Sequence, residues 1–374
     1  MDNKLAQIQE PLLMGPGPSC VSKSVYAALS KPTLGHLDPE FITLMDEIKD
    51  FLKQLMQTDN QLTIPVSGTG SAGMETCFVN LVERGEKVLV LINGVFGTRM
   101  EDVATRLGAE VDSLKFEWGT TVKLAPVQEK LAEKKYDLVA VVHAETSTGA
   151  LTPVEEISKI VHEAGALLLL DTVTSLGGCP VRVDDWEVDA VYSGTQKCLS
   201  CPPGLAPVSL SERAMKVIKE RKSSVQSWYL DVNLLANYWG EGARVYHHTA
   251  PISMNYALHE ALRLVLEEGL EKRWARHEEN HHALRAGLDE LELGIASQEG
   301  HQLWQLNAVR VPEGVDEAAI RVGLLEDHGI EVGPGLGPLK GKVWRVGLMG
   351  YSSQPKNVQT FLSAMETLLA AASA

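Results

Sequence analysis

Cysteine is scarce in this 374-residue chain, which holds five (Cys20, Cys77, Cys179, Cys198 and Cys201), an odd number in no framework spacing. That excludes a disulfide-stapled secreted scaffold and suits a reducing compartment. Basic residues are outnumbered, 34 Lys and Arg against 49 Asp and Glu, for a formal net charge of −15. Such a field repels a phosphate backbone or an anionic membrane, so neither nucleic acid nor a lipid surface is expected as a partner. Internal repeats, low-complexity tracts and Pro/Gly/Ser-rich linkers are also missing, which predicts domains that pack closely. The start, MDNKLAQIQEPLL, has an acid at its second position and lacks the apolar run of a secretory signal. The end, AASA, is no peroxisomal address, and a cytoplasmic protein is the expectation.

What is present is an ordinary globular composition, 44% hydrophobic and 22% charged, over a length that calls for two domains. Between Leu62 and Leu210 short apolar runs (LTIPVSG, VLVLINGVFG, DLVAVVHAE, ALLLLDTV, DAVYSG) alternate with amphipathic stretches such as VEEISKIVHEAG. Runs like ALLLLD are apolar on both faces, as in a mostly parallel sheet covered by helices. Ligand groups in such sheets gather at the carboxyl ends of the strands, and Gly68, Asn93, Glu145, Asp171 and Ser193 each stand where an apolar run stops. After Tyr256 a long charged segment, ALHEALRLVLEEGLEKRWARHEENHHALRAGLDEL, reads as one helix crossing between domains. The remainder mixes short strands (WQLNAVRV, KVWRVGL) with helices. The expected organisation is an N-terminal arm over 1–16, a large α/β domain over 17–267 and a smaller α+β domain over 268–374.

Three features carry chemistry. Ser67-Gly68-Thr69-Gly70-Ser71, between a strand and a helical run, fits a phosphate cradle of backbone amides at a helix N-terminus, although a ligand-free glycine turn reads the same. Asp171 closes a strand and can hold a pyridinium nitrogen protonated. Lys197, in Ser193-Gly194-Thr195-Gln196-Lys197, can condense with an aldehyde as a Schiff base. Cradle, then aspartate, then lysine is the order needed to bind a phosphorylated pyridine aldehyde at phosphate, ring nitrogen and aldehyde carbon. Phe96 at a strand end can stack on a flat ring, and a hydroxyl in Glu145-Thr146-Ser147-Thr148-Gly149 can reach its phenolic oxygen.

In these residues the chain resembles the class V pyridoxal-phosphate aminotransferases of fold type I, and within them the alanine–glyoxylate and serine–pyruvate aminotransferases. The resemblance runs from Gly15-Pro16-Gly17-Pro18 through the motifs above to Tyr246-His247-His248-Thr249, Gly335-Leu336-Gly337-Pro338 and Trp344-Arg345-Val346-Gly347. It implies pyridoxal 5'-phosphate as cofactor, Lys197 as the Schiff-base lysine and Asp171 as partner of the ring nitrogen. It further implies Phe96 and Val173 on the two ring faces, Ser147 near the phenolic oxygen, and Gln196, Gly70 and Ser71 at the phosphate, with Ser67, Gly68 and Thr69 completing the cradle. Arg345 would bind the substrate carboxylate, together with Ser147. Tyr246 and Thr249 would reach the phosphate of a partner subunit, making a homodimer with shared sites. Relatives often carry Trp in place of Phe96 and some carry His in place of Ser71, a difference that bears on cofactor affinity rather than identity.

The function so implied moves an amino group from alanine or serine to glyoxylate or pyruvate in a ping-pong cycle, with small amino and keto acids as ligands. A cysteine desulfurase of the same class is the alternative, but Gln196 rather than His precedes Lys197, and no Cys follows Cys201. A nicotinamide oxidoreductase would need the full Gly-x-Gly-x-x-Gly, which Ser67 to Ser71 lacks. A catalytically silent cofactor-binding regulator would have lost Lys197 or Asp171. Two further patterns carry bland expectations: Cys198-x-x-Cys201 as packing beside the lysine rather than a metal site, and His277, His281 and His282 as a solvated helix face; a capping turn with Thr249 as N-cap is the plain alternative to its phosphate role.

Overall fold

The computed structural model describes residues 3–240, 242 and 244–372. Its centre is a seven-stranded sheet: β1 (Leu62–Ser67), β2 (Lys87–Ile92), β3 (Glu110–Lys115), β4 (Leu138–Val142), β5 (Leu167–Asp171), β6 (Ala190–Tyr192) and β7 (Leu205–Leu210). The order across the sheet is β1-β7-β6-β5-β4-β2-β3. β7 runs antiparallel to both neighbours and every other adjacent pair is parallel, giving the mostly parallel α/β sheet that the apolar runs predict.

Successive residues of one strand feed different cores. Val88, Val90, Leu167 and Leu169 pack in one hydrophobic cluster; Leu89, Leu91, Leu168 and Leu170 pack in another on the opposite face. Apart from the closing Asp171 of β5, the central strands β2, β4 and β5 are therefore apolar along their buried length, because helices cover both faces. Helix α1 (Pro39–Met56) supplies Phe41 and Met45 to one cluster and Ile48 and Leu52 to the other. Helices α2 (Gly70–Leu81) and α3 (Val95–Arg106) start where β1 and β2 stop, so two helix N-termini open onto the same edge of the sheet.

The charged segment after Tyr256 is two helices rather than one, α4 (Ile252–Glu268) and α5 (Leu270–Glu290). The break falls at Gly269, whose φ of 84° lies in the region that side chains disfavour. Beyond it, β8 (Leu306–Arg310), β9 (Gly333–Pro334) and β10 (Val343–Gly347) form an antiparallel sheet with β10 in the middle, packed with α6 (Glu317–Glu326) and α7 (Pro355–Ala372) around Trp344 and Phe361. The N-terminal segment joins this unit. Leu12–Leu13 pairs in parallel with Ile330–Glu331, and Met14 is fully buried in the same cluster. From there the chain crosses to the large sheet, where Ser19 bonds the backbone of Gln196 and Lys197.

Candidate active site

The β1–α2 turn is built for close backbone approach. Gly68 has a φ of 143°, and a Cβ there would lie 2.5 Å from Ala72 Cβ. A Cβ on Gly70 would meet Val173 Cγ2 at 3.1 Å. Thr69 is the N-cap of α2, yet its side chain makes no cap hydrogen bond. The first amides of α2, those of Gly70 and Ser71 included, therefore form an open anion site. The Ser67 hydroxyl, just before this turn, is engaged with His248, its Oγ lying 2.7 Å from the Nε2 of that ring.

Two strand ends on, the carboxylate of Asp171 is buried, with Oδ1 accepting from the Val173 amide at 2.8 Å and Oδ2 from the Tyr192 hydroxyl at 2.6 Å. Burial raises its pKa to about 6 against those two hydrogen bonds, which oppose the shift. Lys197 follows the end of β6 and is buried, its Nζ donating to the carbonyl of Pro16. Burial first, then the positive charge of Arg345, lowers the lysine to about 8, while Asp171 and Glu145 pull the other way. Gln196, beside it, makes no side-chain hydrogen bond among the described residues; its Oε1 is buried without a partner there, and a Cβ on Gly194 would touch it at 3.0 Å.

At the end of β4, Glu145 is fully buried and closes the N-terminus of α3. Its Oε2 accepts from the Phe96 amide at 3.0 Å, and its Oε1 accepts from the Ser147 hydroxyl at 2.6 Å and the Ser147 amide at 3.0 Å. Phe96 sits in the first turn of α3, half-buried with Val173 against one core cluster. Arg99 lies over its ring, 4.9 Å from the centroid. The Ser147 oxygen also receives the Val95 amide at 3.0 Å, so this hydroxyl is committed to the helix. The neighbouring Thr146 is as deeply buried, and its hydroxyl has no partner within the described residues.

Arg345, on the central strand β10, reaches this region from the other sheet. Its Nε donates to Pro334 O at 2.7 Å and its Nη1 to Thr146 O at 3.3 Å, and no carboxylate pairs with it among the described residues. Burial drags it down to about 10, partly offset by Glu145. A buried guanidinium with an unpaired nitrogen is a receptor for a carboxylate.

Tyr246 and Thr249 are not brought to this site within one chain: both are exposed, on a strap over 244–249 that touches the large domain beside Ser67. Thr249 does not cap α4, whose N-cap is Pro251 without a side-chain bond. The histidine expectation is overturned for two of three residues. His277 is fully buried, with Nδ1 on Arg273 O and Nε2 accepting from the Gly350 amide, and His281 is buried against Asn307. Of the three only His282 is exposed, with its Nε2 3.9 Å from Glu278. Cys198 and Cys201 are buried free thiols, and the described residues hold no cluster suited to a metal. Sequence reading missed the closing of α3 by Glu145, the Tyr192–Asp171 bond and the free hydroxyl of Thr146. The strand-end position of Glu145 is the signal that pointed to the first.

Residues 21–357 match the model of the family "Aminotransferase class-V". The chain is 38% identical to the (S)-ureidoglycine–glyoxylate transaminase of Bacillus subtilis, over 96% of this chain and 90% of that protein. It is 40% identical to the alanine–glyoxylate aminotransferase of Callithrix jacchus, over 98% and 89%. The solved alanine–glyoxylate aminotransferase of Nostoc sp. superposes with a TM-score of 0.95 at 46% identity, over 99% of this chain and all of that one. With lysine, aspartate, cradle and arginine gathered on one rim of an α/β sheet, the chain belongs to the class V aminotransferases and is a transaminase.

Proposed function

We propose that the protein binds pyridoxal 5'-phosphate and moves an amino group from a short amino acid, alanine or serine, to glyoxylate or pyruvate. The observation that carries this is the buried, unpaired Arg345 facing a lysine whose amine is brought down to about 8. The donor set fits the cofactor. An uncapped helix N-terminus and an unpartnered Gln196 amide suit a phosphate; a buried carboxylate suits a ring nitrogen. Gly70 and Ser71 amides with Thr69 and Gln196 would hold the phosphate, Asp171 the ring nitrogen, Phe96 and Val173 the ring faces, and Thr146 the phenolic oxygen. When bound, the cofactor supplies an aldehyde that captures amines and a ring that draws electrons from the captured α-carbon.

The chain's residues do the rest. Lys197 is partly neutral at physiological pH because burial penalises its charge, so it can act as nucleophile and then carry a proton to and from the substrate α-carbon. Asp171 is ionised above about pH 6 and keeps the ring nitrogen protonated. Arg345 fixes the substrate carboxylate through its free nitrogen and orients the α-carbon beneath the lysine. Glyoxylate as acceptor is favoured by the names of the relatives at 38% and 40% identity. The exposed Tyr246 and Thr249 support a homodimer in which each strap serves the partner's phosphate.

The test is the absorption spectrum of the purified protein. A band at about 410–430 nm that borohydride bleaches is expected, and Lys197→Ala should abolish the bleaching and lower turnover by several orders of magnitude. A colourless protein after addition of cofactor overturns the reading. Single-turnover assays of alanine, serine and glycine with each keto acid then fix the pair.

A further inference from the structure

Behind the cradle a chain of hydrogen bonds runs from the surface to Ser67. His247 Nε2 lies 3.4 Å from the carbonyl of Trp228, His247 Nδ1 lies 2.8 Å from His248 Nδ1, and His248 Nε2 lies 2.7 Å from Ser67 Oγ. The Trp228 indole stacks on His247 at 4.4 Å and 9° between planes. Tyr229 and Tyr238 place their rings against His248, and Tyr229 also leans on His247. No carboxylate among the described residues bonds either imidazole. The nearest charged groups in sequence are those of Arg244, which is held by Asp46 and the Tyr238 carbonyl.

The direction of this chain follows from one fact: a carbonyl only accepts. His247 therefore carries its proton on Nε2 when neutral, and its Nδ1 accepts. His248 must then donate from Nδ1, which leaves its Nε2 bare to accept the Ser67 hydroxyl proton. One added proton reverses everything downstream. A doubly protonated His247 donates from Nδ1, His248 shifts its own proton to Nε2 and donates to Ser67 Oγ, and the Ser67 hydroxyl is released. The balance is one proton taken up, with each intermediate hydrogen bond kept and turned round. Burial and the adjacent His247 hold His248 down at about 4, and the indole face stacked on His247 is the surface along this chain that suits a cation.

We propose that His247, His248 and Ser67 are positioning residues forming a one-proton relay that switches the Ser67 hydroxyl between the strap and an anion in the β1–α2 cradle. The proposal rests on the cradle being an anion site. In the resting direction Ser67 serves the strap that carries Tyr246 and Thr249. In the reversed direction it becomes a donor at the mouth of the cradle, so anion binding and proton uptake reinforce one another.

Sulfate is the probe, because it keeps its charge across the imidazole range. Binding to the cofactor-free chain is measured by calorimetry at about pH 8 and about pH 5.5, for the natural protein, Ser67→Ala and His248→Gln. The natural protein should gain about tenfold more affinity on acidification than either variant. Nitrogen-15 shifts of labelled histidines should show His248 protonated on Nδ1 at the higher pH and on Nε2 at the lower, a reading that needs no variant to fold. Equal pH dependence in all three proteins, or an unchanged His248 tautomer, overturns the relay while leaving the cradle standing. Sulfate that fails to bind at either pH overturns the cradle and the release of Ser67 with it.

Discussion

Gly94 and Glu145 are packed so closely that a methyl group on Gly94 would overlap the Glu145 Cγ and Cδ and the Ser147 hydroxyl. The backbone at Gly94 is extended, so any residue could adopt its conformation; what glycine supplies is room for a buried carboxylate to reach the amides at the start of α3. Burial raises the pKa of Glu145, and the bonds from Ser147 and Phe96 resist that rise. Gly94→Ala should therefore expel Glu145 from the helix end and rotate Phe96 out of place. The expected cost is about 1–3 kcal/mol of stability, with weaker cofactor retention. Denaturant unfolding and equilibrium dialysis of cofactor measure the two effects, and a variant with native values of both would show that the contact can relax.

Asp171 makes the stability of the cofactor-free protein depend on pH. Its folded pKa of about 6 lies above the ordinary value, so the folded chain holds a proton that the unfolded chain has lost in the window between them. Stability is highest below the lower value and falls as pH rises through about 6. Asp171→Asn has no such proton to lose. The cofactor-free natural protein should thus fall relative to the variant, by on the order of 2 kcal/mol between about pH 4 and about pH 7. Paired urea titrations at the two pH values check this. The variant should keep its fold and lose turnover, because a ring nitrogen without a carboxylate is a poorer electron sink.

For Arg345→Gln two signatures are expected together. Loss of a charged contact to the substrate carboxylate, worth about 1.5–3 kcal/mol, should raise KM for amino and keto acid alike by roughly one to two orders of magnitude. Lys197, lowered by burial and then by this guanidinium, should titrate at higher pH once the charge is gone. The pH dependence of reductive methylation at Lys197 in the cofactor-free protein reads that shift directly. A KM change with no shift in the lysine would place Arg345 farther from the amine than its electrostatic effect implies.

The doubly buried strands and the polar residues at their ends were legible in the sequence because apolar runs in a parallel sheet are continuous and stop abruptly. Two strands were not. Glu110–Lys115 is an exposed edge with mixed polarity, and Leu205–Leu210 carries Pro207 and runs against its neighbours. The helix break at Gly269 was hidden because the amphipathic pattern continues across it. Lys197 and Asp171 stood out by residue type and position and Arg345 by resemblance, but the commitment of the Ser147 hydroxyl to Glu145 could not be read, since it depends on the segment after β4 meeting the start of α3, which follows β2. The burial of His277 and His281 was equally invisible, because their partners Gly350 and Asn307 lie far along the chain.

The strap over 244–249 exposes Val245 and Tyr246, and Trp228 and Tyr229, which pack on its His247, are exposed as well, with Trp228 63% and Tyr246 55% accessible. Four large side chains clustered on a surface are costly in water and are expected to be covered by another protein surface. Among the described residues no hydrogen bond or ring contact joins Tyr246 or Thr249 to the cradle of their own chain, so a role at a phosphate calls for a second copy. Cofactor should then stabilise the dimer, because a ligand held by two subunits is lost when they part. Sedimentation with and without cofactor should show this. Mixing supplies the sharper test: Lys197→Ala subunits and Tyr246→Phe/Thr249→Ala subunits are each impaired alone, yet a mixed dimer contains one site with its lysine intact and both strap hydroxyls supplied by the partner. Activity should reappear on mixing, approaching half of the natural value per mixed dimer. Exchanged dimers that stay inactive, or a fully active monomer, would show that each chain completes its own site.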